Sequence, residues 1–487
     1  MNEWLAARNI LAVRMDNMGD VVMLGPALRA VKQASPSARI TLLASPAGAQ
    51  VASLLPEVDD VIVWRAIWQD VGNRMPLDPA RELDLVRLLA QRRFDAALIF
   101  TSFSQNPHVP GYVCYLAGIP LRAGESKEFG GSALTTELRG CPDEMHQAER
   151  NLRLVEQLGF QTADRQLAIR VGAEARARVP ALLRDAGMTP GEPYVLLHPG
   201  ASCEARRYPA ERYAEVARLL DARGYWVVVT GAEREAEIVR TAARDIPAER
   251  MLLGKTSVAE LAALIERAAL VICNDTLTLH LADAVRTPLV VLYSGTEYDE
   301  QWRPRAVRHR LLRRPTDCQP CYRFTCPIGL PCLDIPPTEV VAAVEEVLGA
   351  TEDAENAEAR GGRGEGETEN AKDAKKREGR EGENRATAEG AERESTSAAR
   401  AGGLGGGRPL GRDASAGPHR GADPSPLRAE SSAGLHCGVA PAGETCLAPT
   451  AGNTPSINKA SAASSYVAPG ATAQRSDRRR MGRGGAR

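Results

Sequence analysis

The chain has 487 residues, enough for two or three domains, with 61 basic and 62 acidic side chains and a formal net charge of −1. That balance gives no global pull toward nucleic acid or an anionic membrane, so any recognition of anions has to come from a local patch. Charges at Glu3, Arg8, Arg14, Asp16 and Asp20 interrupt any signal-peptide core, and no apolar run reaches the roughly 18–20 residues that span a bilayer. A soluble, cytoplasmic protein is expected, with no nucleic-acid partner.

Asn9 to Val13 is a short apolar run that reads as a buried parallel strand, followed by a polar loop from Arg14 to Gly19. A helical pattern then places Val21, Leu24, Leu28 and Val31 on one face and stops before Ser35-Pro36. Arg39–Leu43 is the next strand, Gln50–Leu55 a short helix, Asp60–Trp64 a third strand, Glu82–Gln91 a helix and Phe94–Phe100 a fourth strand. Helical spacing returns over His146–Leu158, stopped by Gly159, and over Ala173–Ala186. Pro190 to Pro193 reads as a hinge.

The architecture then repeats. Tyr194–His198 is a strand, Pro199–Pro209 a loop of small and basic residues, and Ala210–Arg223 a helix. Strands at Trp226–Thr230, Leu270–Cys273 and Pro288–Tyr293 alternate with helices at Ala232–Ala243, Val258–Ala268 and Leu277–Ala284, and Pro337–Leu348 closes the folded part. Strands alternating with helices imply βαβ units and parallel sheets, hence an α/β chain of two Rossmann-like, doubly wound domains facing across a cleft. The expected boundaries are 1–185 and 190–349. Residues 350–487 are Glu/Lys/Arg/Gly-rich and then Gly/Ala/Pro/Ser-rich, too polar to bury a core, and read as a disordered tail with a basic end at Arg478–Arg480 and Arg483.

In such sheets ligands bind outside the carboxyl ends of the strands. Three loops stand out there. In the first, Arg14 to Val22, Gly19 allows a tight turn or close approach and Asp20 falls at the helix start, where an acidic residue also serves simply as a cap. In the second, His198 to Pro209, the amides of Gly200 to Ser202, the Ser202 hydroxyl and the guanidinium groups of Arg206 and Arg207 make a cradle for a phosphate or diphosphate. In the third, Asp275 and Thr276 lie at a helix N-terminus with His280 one turn on. Glu235, after Trp226–Thr230, is a carboxylate of the kind that accepts from ribose hydroxyls.

Of ten cysteines, four crowd into Cys318-x2-Cys321-x4-Cys326-x5-Cys332. Four thiolates this close suit a structural metal, zinc or an iron–sulfur cluster, as an alternative to free or redox-active thiols.

Together these features resemble glycosyltransferase family 9, the ADP-heptose:lipopolysaccharide heptosyltransferases and their relatives. The resemblance runs from about Ile10 to Leu348. It rests on Met18-Gly-Asp-Val with Pro26-Ala-Leu-Arg, His198-Pro-Gly-Ala-Ser with Arg207-Tyr-Pro, Thr230-Gly-Ala, and Asp275-Thr with His280-Leu-Ala. It implies a GT-B fold and an inverting enzyme with no cofactor or metal at its chemical centre. It also implies Asp20 as the base that deprotonates the acceptor hydroxyl. Gly200, Ser202, Arg206, Glu235, Asp275, Thr276 and His280 would bind the donor, a nucleotide-diphosphate sugar of the ADP-heptose kind. The acceptor would be an envelope saccharide such as lipopolysaccharide core, met by peripheral contact with the inner membrane face. Three positions depart from the family pattern: Leu277 stands for a glycine, Ser294-Gly-Thr296 for Gly-Pro-Thr, and Asp16-Asn17-Met18 for a serine pair or Ser-Leu. They leave room for a non-catalytic nucleotide-sugar-binding protein or another GT-B or epimerase-type enzyme. A dinucleotide-binding Rossmann protein is disfavoured, because no Gly-x-Gly-x-x-Gly follows the first strand.

Overall fold

In the computed structural model the described residues are 2–361 apart from Val71, Ser104 and Pro190, with the backbone alone described over 350–361. Two wholly parallel six-stranded sheets form the frame. The first contains β1 (Asn9–Arg14), β2 (Arg39–Ala44), β3 (Asp60–Val63), β4 (Ala96–Ile99), β5 (Leu121–Glu125) and β6 (Thr136–Leu138), in the order β3-β2-β1-β4-β5-β6. The second contains β7 (Tyr194–His198), β8 (Trp226–Gly231), β9 (Met251–Leu253), β10 (Leu270–Asn274), β11 (Leu289–Leu292) and β12 (His309–Leu312), in the order β12-β11-β10-β7-β8-β9. Central strands such as β10 and β11 are buried along their whole length, as strands covered by helices on both faces must be. Each order reverses once, between β1 and β4 and between β7 and β10, and ligands of doubly wound sheets bind at such crevices.

The expected helix from Val21 to Ala34 is two helices, Met18–Val22 and Gly25–Ala34. Pro26 explains the break, since it has no N–H to give a preceding turn and is accommodated in the first turn of the second helix. Strands β5, β6, β9 and β12 have no counterpart in the sequence reading. They are three to five residues long, and β5 buries Arg122 and Glu125 in place of an apolar run. Both charges are satisfied: Arg122 donates to the carbonyls of Ala133 (2.7 Å) and Pro120 (3.0 Å), and Glu125 pairs with Arg150 and Arg153. The last helix runs from Pro337 to Gly361, past its expected end at Leu348, through an Ala/Glu-rich stretch of good helix formers. The rest of the expected tail, including its basic end, lies outside the described residues.

The two halves share one apolar cluster that takes in Ile10, Leu28 and Leu98 from the first and Val271, Leu279 and Trp302 from the second. Helix Ala173–Asp185, on the first side of the expected boundary, packs on helix Val258–Arg267 of the second half, where Arg176 pairs with Glu266 at 2.7 Å. Polar ties also cross: Gln301 Nε2 donates to the Asp143 carbonyl at 2.6 Å, and Arg305 reaches both Glu149 and the Arg165 carbonyl. Among the described residues no helix is long and apolar enough to cross a membrane.

Leu28 is fully buried in the shared cluster. Leu28→Ala is expected to lower the unfolding free energy by about 2–5 kcal/mol, the range for a buried leucine that leaves a cavity, measured by denaturant titration.

Candidate active site

The loops after β1, β4, β7 and β10, the strands at the two switch points, line one cleft of about 560 Å³. Asp20, Ser202, Arg206, Glu235, Asp275, Thr276 and His280 all face it. Gly200 lies behind the lining, against Glu235, and a methyl group there would collide with the Glu235 carboxylate. Arg207 is not part of the lining. Its Nε donates to the Ala201 carbonyl at 3.1 Å, so the cradle has one guanidinium group and not the expected pair.

On the first half, Arg14 has no exposed surface. Its Nη2 donates to Asp20 Oδ1 at 2.6 Å and to Ser102 Oγ at 2.9 Å, and its Nε lies 2.9 Å from Asp16 Oδ2. Asp20 Oδ2 accepts from the Asn17 backbone N–H at 3.2 Å, so Asp20 sits in the first turn behind an Asn17 cap. Burial pushes the Asp16 carboxyl above its usual range and the Asp20 charge adds to this, against the pull of Arg14. Gln105 Nε2 donates to Asp16 Oδ1 at 2.5 Å.

On the second half, Asn274 at the end of β10 holds the loop after β7. Its side-chain amide donates to the carbonyls of Pro199 (2.8 Å) and Gly200 (3.4 Å), and its Oδ1 accepts from the Tyr208 N–H (3.1 Å) and the Tyr213 hydroxyl (3.0 Å). Arg206 Nη2 donates to Glu297 Oε2 at 2.6 Å, with Asp275 Oδ2 3.8 Å from Nη1. Burial opposes the Arg206 charge, but Asp275 and Glu297 outweigh it and hold the guanidinium firmly protonated. Burial raises the Asp275 carboxyl above its usual range and pushes Glu297 up to about 7, in both cases against Arg206. Asp275 Oδ2 and His280 Nδ1 are buried and have no hydrogen-bond partner among the described residues.

The halves also meet inside the cleft, where helix Met18–Val22 touches helix Leu277–Val285. A Cβ on Gly19 would lie 2.6 Å from His280 Cδ2, so glycine serves close approach here. His280 stacks obliquely on Trp302, and burial drops its imidazole to about 4, leaving it neutral at pH 7. His146, half-buried at a helix N-cap, is lowered to about 3 by desolvation and by the nearby Arg305 charge.

Cys318, Cys321, Cys326 and Cys332 are free thiols, and among the described residues no three His, Cys, Asp or Glu side chains are placed to hold a metal ion. Of the two readings of these thiols, a metal centre or free thiols, the described residues bring no metal centre together. Their segment covers the cleft wall instead. The Cys321 and Tyr322 amides donate to the carbonyls of Gly295 (3.1 Å) and Thr296 (2.9 Å), the Ala205 amide donates to the Phe324 carbonyl (2.9 Å), and Phe324 lines the cleft. Glu297, Ser102, Asn274 and Trp302 were not marked by the sequence reading. For Asn274 the one available signal was an amide directly before the Asp275-Thr276 pair.

The family model of glycosyltransferase family 9 (heptosyltransferase) matches residues 83–330, just over half of the chain. The chain belongs to this family. Lipopolysaccharide heptosyltransferase 2 of Salmonella typhimurium is 26% identical over 306 residues, 60% of this chain and 84% of the relative. The fold matches the glycosyltransferase family 9 crystal structure from Veillonella parvula, with a TM-score of 0.58 and 21% identity over 70% of this chain and 97% of that one. It also matches E. coli ADP-heptose lps heptosyltransferase II, with a TM-score of 0.56 and 22% identity over 71% and 99%. The fold is thus GT-B, and the chain is a glycosyltransferase.

Two outcomes follow for this glycosyltransferase. Arg14→Met leaves two carboxylates without their buried cation and is expected to cost about 3–5 kcal/mol of stability, read by chemical unfolding. His146 and His280 bind protons more weakly folded than unfolded, so the stability they contribute is complete above pH 6.5 and is lost as pH falls toward about 4. The fall should be shallower in His146→Asn, measured by thermal melts between pH 4 and 7.

Proposed function

We propose that this glycosyltransferase moves a heptose-type sugar from an ADP-linked donor to a hydroxyl of a lipopolysaccharide-type acceptor, with inversion and with no metal at the reacting centre. One observation carries the reading: a carboxylate from one domain, Asp20, and a cation from the other, Arg206, line the same cleft at the two switch points. The ADP-heptose donor and the lipopolysaccharide acceptor are supported by the names of the relatives above.

On this reading Asp20 takes the proton of the acceptor hydroxyl as that oxygen attacks the anomeric carbon and the nucleotide diphosphate departs from the other face. The Arg14 and Ser102 bonds to Oδ1 and the Asn17 bond to Oδ2 fix the carboxylate's direction before substrate arrives. The leaving diphosphate gains charge. Arg206, the amides around Ser202 and the N-terminus of helix Leu277–Val285 beside Thr276 are a preformed set of donors for it. Glu235 suits the ribose hydroxyls, its Oε2 already oriented by the Ala232 N–H at 3.0 Å. Asp275 Oδ2, 3.8 Å from Arg206 Nη1 and without a hydrogen bond, suits sugar hydroxyls, since a buried carboxylate oxygen lacking a hydrogen-bond donor is costly until a ligand supplies one. Neutral His280 offers a hydrogen bond without adding charge.

Asp20→Asn is expected to lower kcat by about 10³-fold, the scale of a lost general base, with donor affinity close to wild type by calorimetry. Near wild-type turnover in that variant would overturn Asp20 as the base. Arg206→Ala is expected to weaken ADP-sugar binding by about 10–100-fold, as for a lost charged hydrogen bond.

A further inference from the structure

The cation assigned above to the diphosphate is already paired within the protein. Arg206 Nη2 sits 2.6 Å from Glu297 Oε2, and Glu297 lines the cleft with part of its side chain open to it. A diphosphate on Arg206 therefore competes with a carboxylate that belongs to the protein. Around Glu297 the charges are unbalanced. Arg206 and Cys203 face it from the loop after β7, Asp275 from the loop after β10, and Tyr293 from the end of β11. Tyr322 faces it from the cysteine-rich segment, and Asp16 and Asp20 from across the cleft. One guanidinium thus serves Glu297 and Asp275, the Asp16 and Asp20 pair opposite shares Arg14, and a diphosphate brings two more negative charges.

The backbone under Glu297 has little freedom to answer by moving. The Gly295 and Thr296 carbonyls accept from the Cys321 and Tyr322 amides, and the Ser294 and Thr296 hydroxyls bond each other at 2.9 Å. Only the side chain can give way, by swinging off Arg206 and by taking a proton.

We propose that Glu297 is a proton-operated gate on the donor subsite: it holds Arg206 while the cleft is empty and releases it, carboxyl protonated, when a nucleotide diphosphate binds. This rests on the donor reading given above. Glu297 acts through Arg206 and is a positioning residue. In atom terms, the Glu297–Arg206 ion pair breaks, an Arg206–phosphate pair forms, and one proton from solvent ends on a Glu297 carboxyl oxygen.

Burial already pushes this carboxyl to about 7, and an adjacent diphosphate raises it further, so above pH 7 each donor bound takes up one proton. Donor affinity should then be flat below pH 7 and fall about tenfold per pH unit above it. The test is calorimetric titration of the full chain with ADP-glucose, whose diphosphate diester does not itself titrate in this range, from pH 6 to pH 8.5. Wild type should show the step and a buffer-dependent heat of proton uptake. Glu297→Gln should remove both and bind about tenfold tighter than wild type at pH 8, with equal affinity at pH 6. Glu297→Asp should keep a pH step. In an Arg206→Ala background, Glu297→Gln should change nothing. A pH-independent wild type, weaker binding by Glu297→Gln at every pH, or the same gain without Arg206 would each remove the gate and leave the donor reading intact. Absence of ADP-glucose binding to wild type at any pH would remove the donor reading, and the gate with it.

Discussion

Arg14 carries a full charge at a position with no access to solvent, and the end of the first strand is organised around that fact. A guanidinium at such depth is tolerable only with carboxylates and hydrogen-bond acceptors in direct reach, because the desolvation penalty is several kcal/mol. Asp16 and Asp20 from the following turn and Ser102 from the loop after β4 supply them. The same contacts that neutralise Arg14 determine where the Asp20 carboxylate points. Removing Arg14 would leave two clustered acids beside a third partner built for a cation. The turn, the short helix Met18–Val22 and the loop after β4 are held as one piece by this pair of ion contacts.

The second half solves a related problem in the opposite sense. Around Arg206 there is too much negative charge for one cation, and the mismatch is left in the open cleft and not sealed in the core. Buried polar atoms without hydrogen-bond partners lie on both sides of the cleft, at Asp275 and His280 and at Arg14 and Asp16. Interiors rarely leave such groups unsatisfied unless something else completes them. Each side of the cleft thus sets two carboxylates on one guanidinium, sealed from solvent at Arg14 and reaching the open cleft at Arg206.

Much of this was legible in the residue order. Apolar runs of five or six residues located the central strands, and glycines and small polar residues after them located the loops that reach the cleft. What stayed hidden has physical reasons. β5 buries Arg122 and Glu125, which depend on Ala133 and on Arg150 and Arg153 further along the chain, so no local apolar pattern marks it. The break at Pro26 was overridden in the reading by a continuous apolar face, although the ring cannot continue the first helix. Glu297 and Ser102 gain their roles only from the distance to Arg206 and Arg14, which chain order does not encode. The four cysteines have metal-like spacing, but their loop spends its backbone hydrogen bonds on the strand-end turn at Gly295 and Thr296, and among the described residues no three of the thiols are placed around a metal position.

The Asn274 side chain, with its four bonds to the chain between Pro199 and Tyr213, has a consequence for how such a site can diversify. It acts as a ruler between two strand ends: an inserted or deleted residue in the loop after β7 would shift the carbonyls out of its reach and uncover a buried amide. Single-residue replacements at cleft-facing positions such as Ser202 leave the ruler untouched. Change in what this cleft accepts is therefore channelled into substitutions on a loop of constant length, while loop length itself is kept under the same constraint that keeps the protein folded.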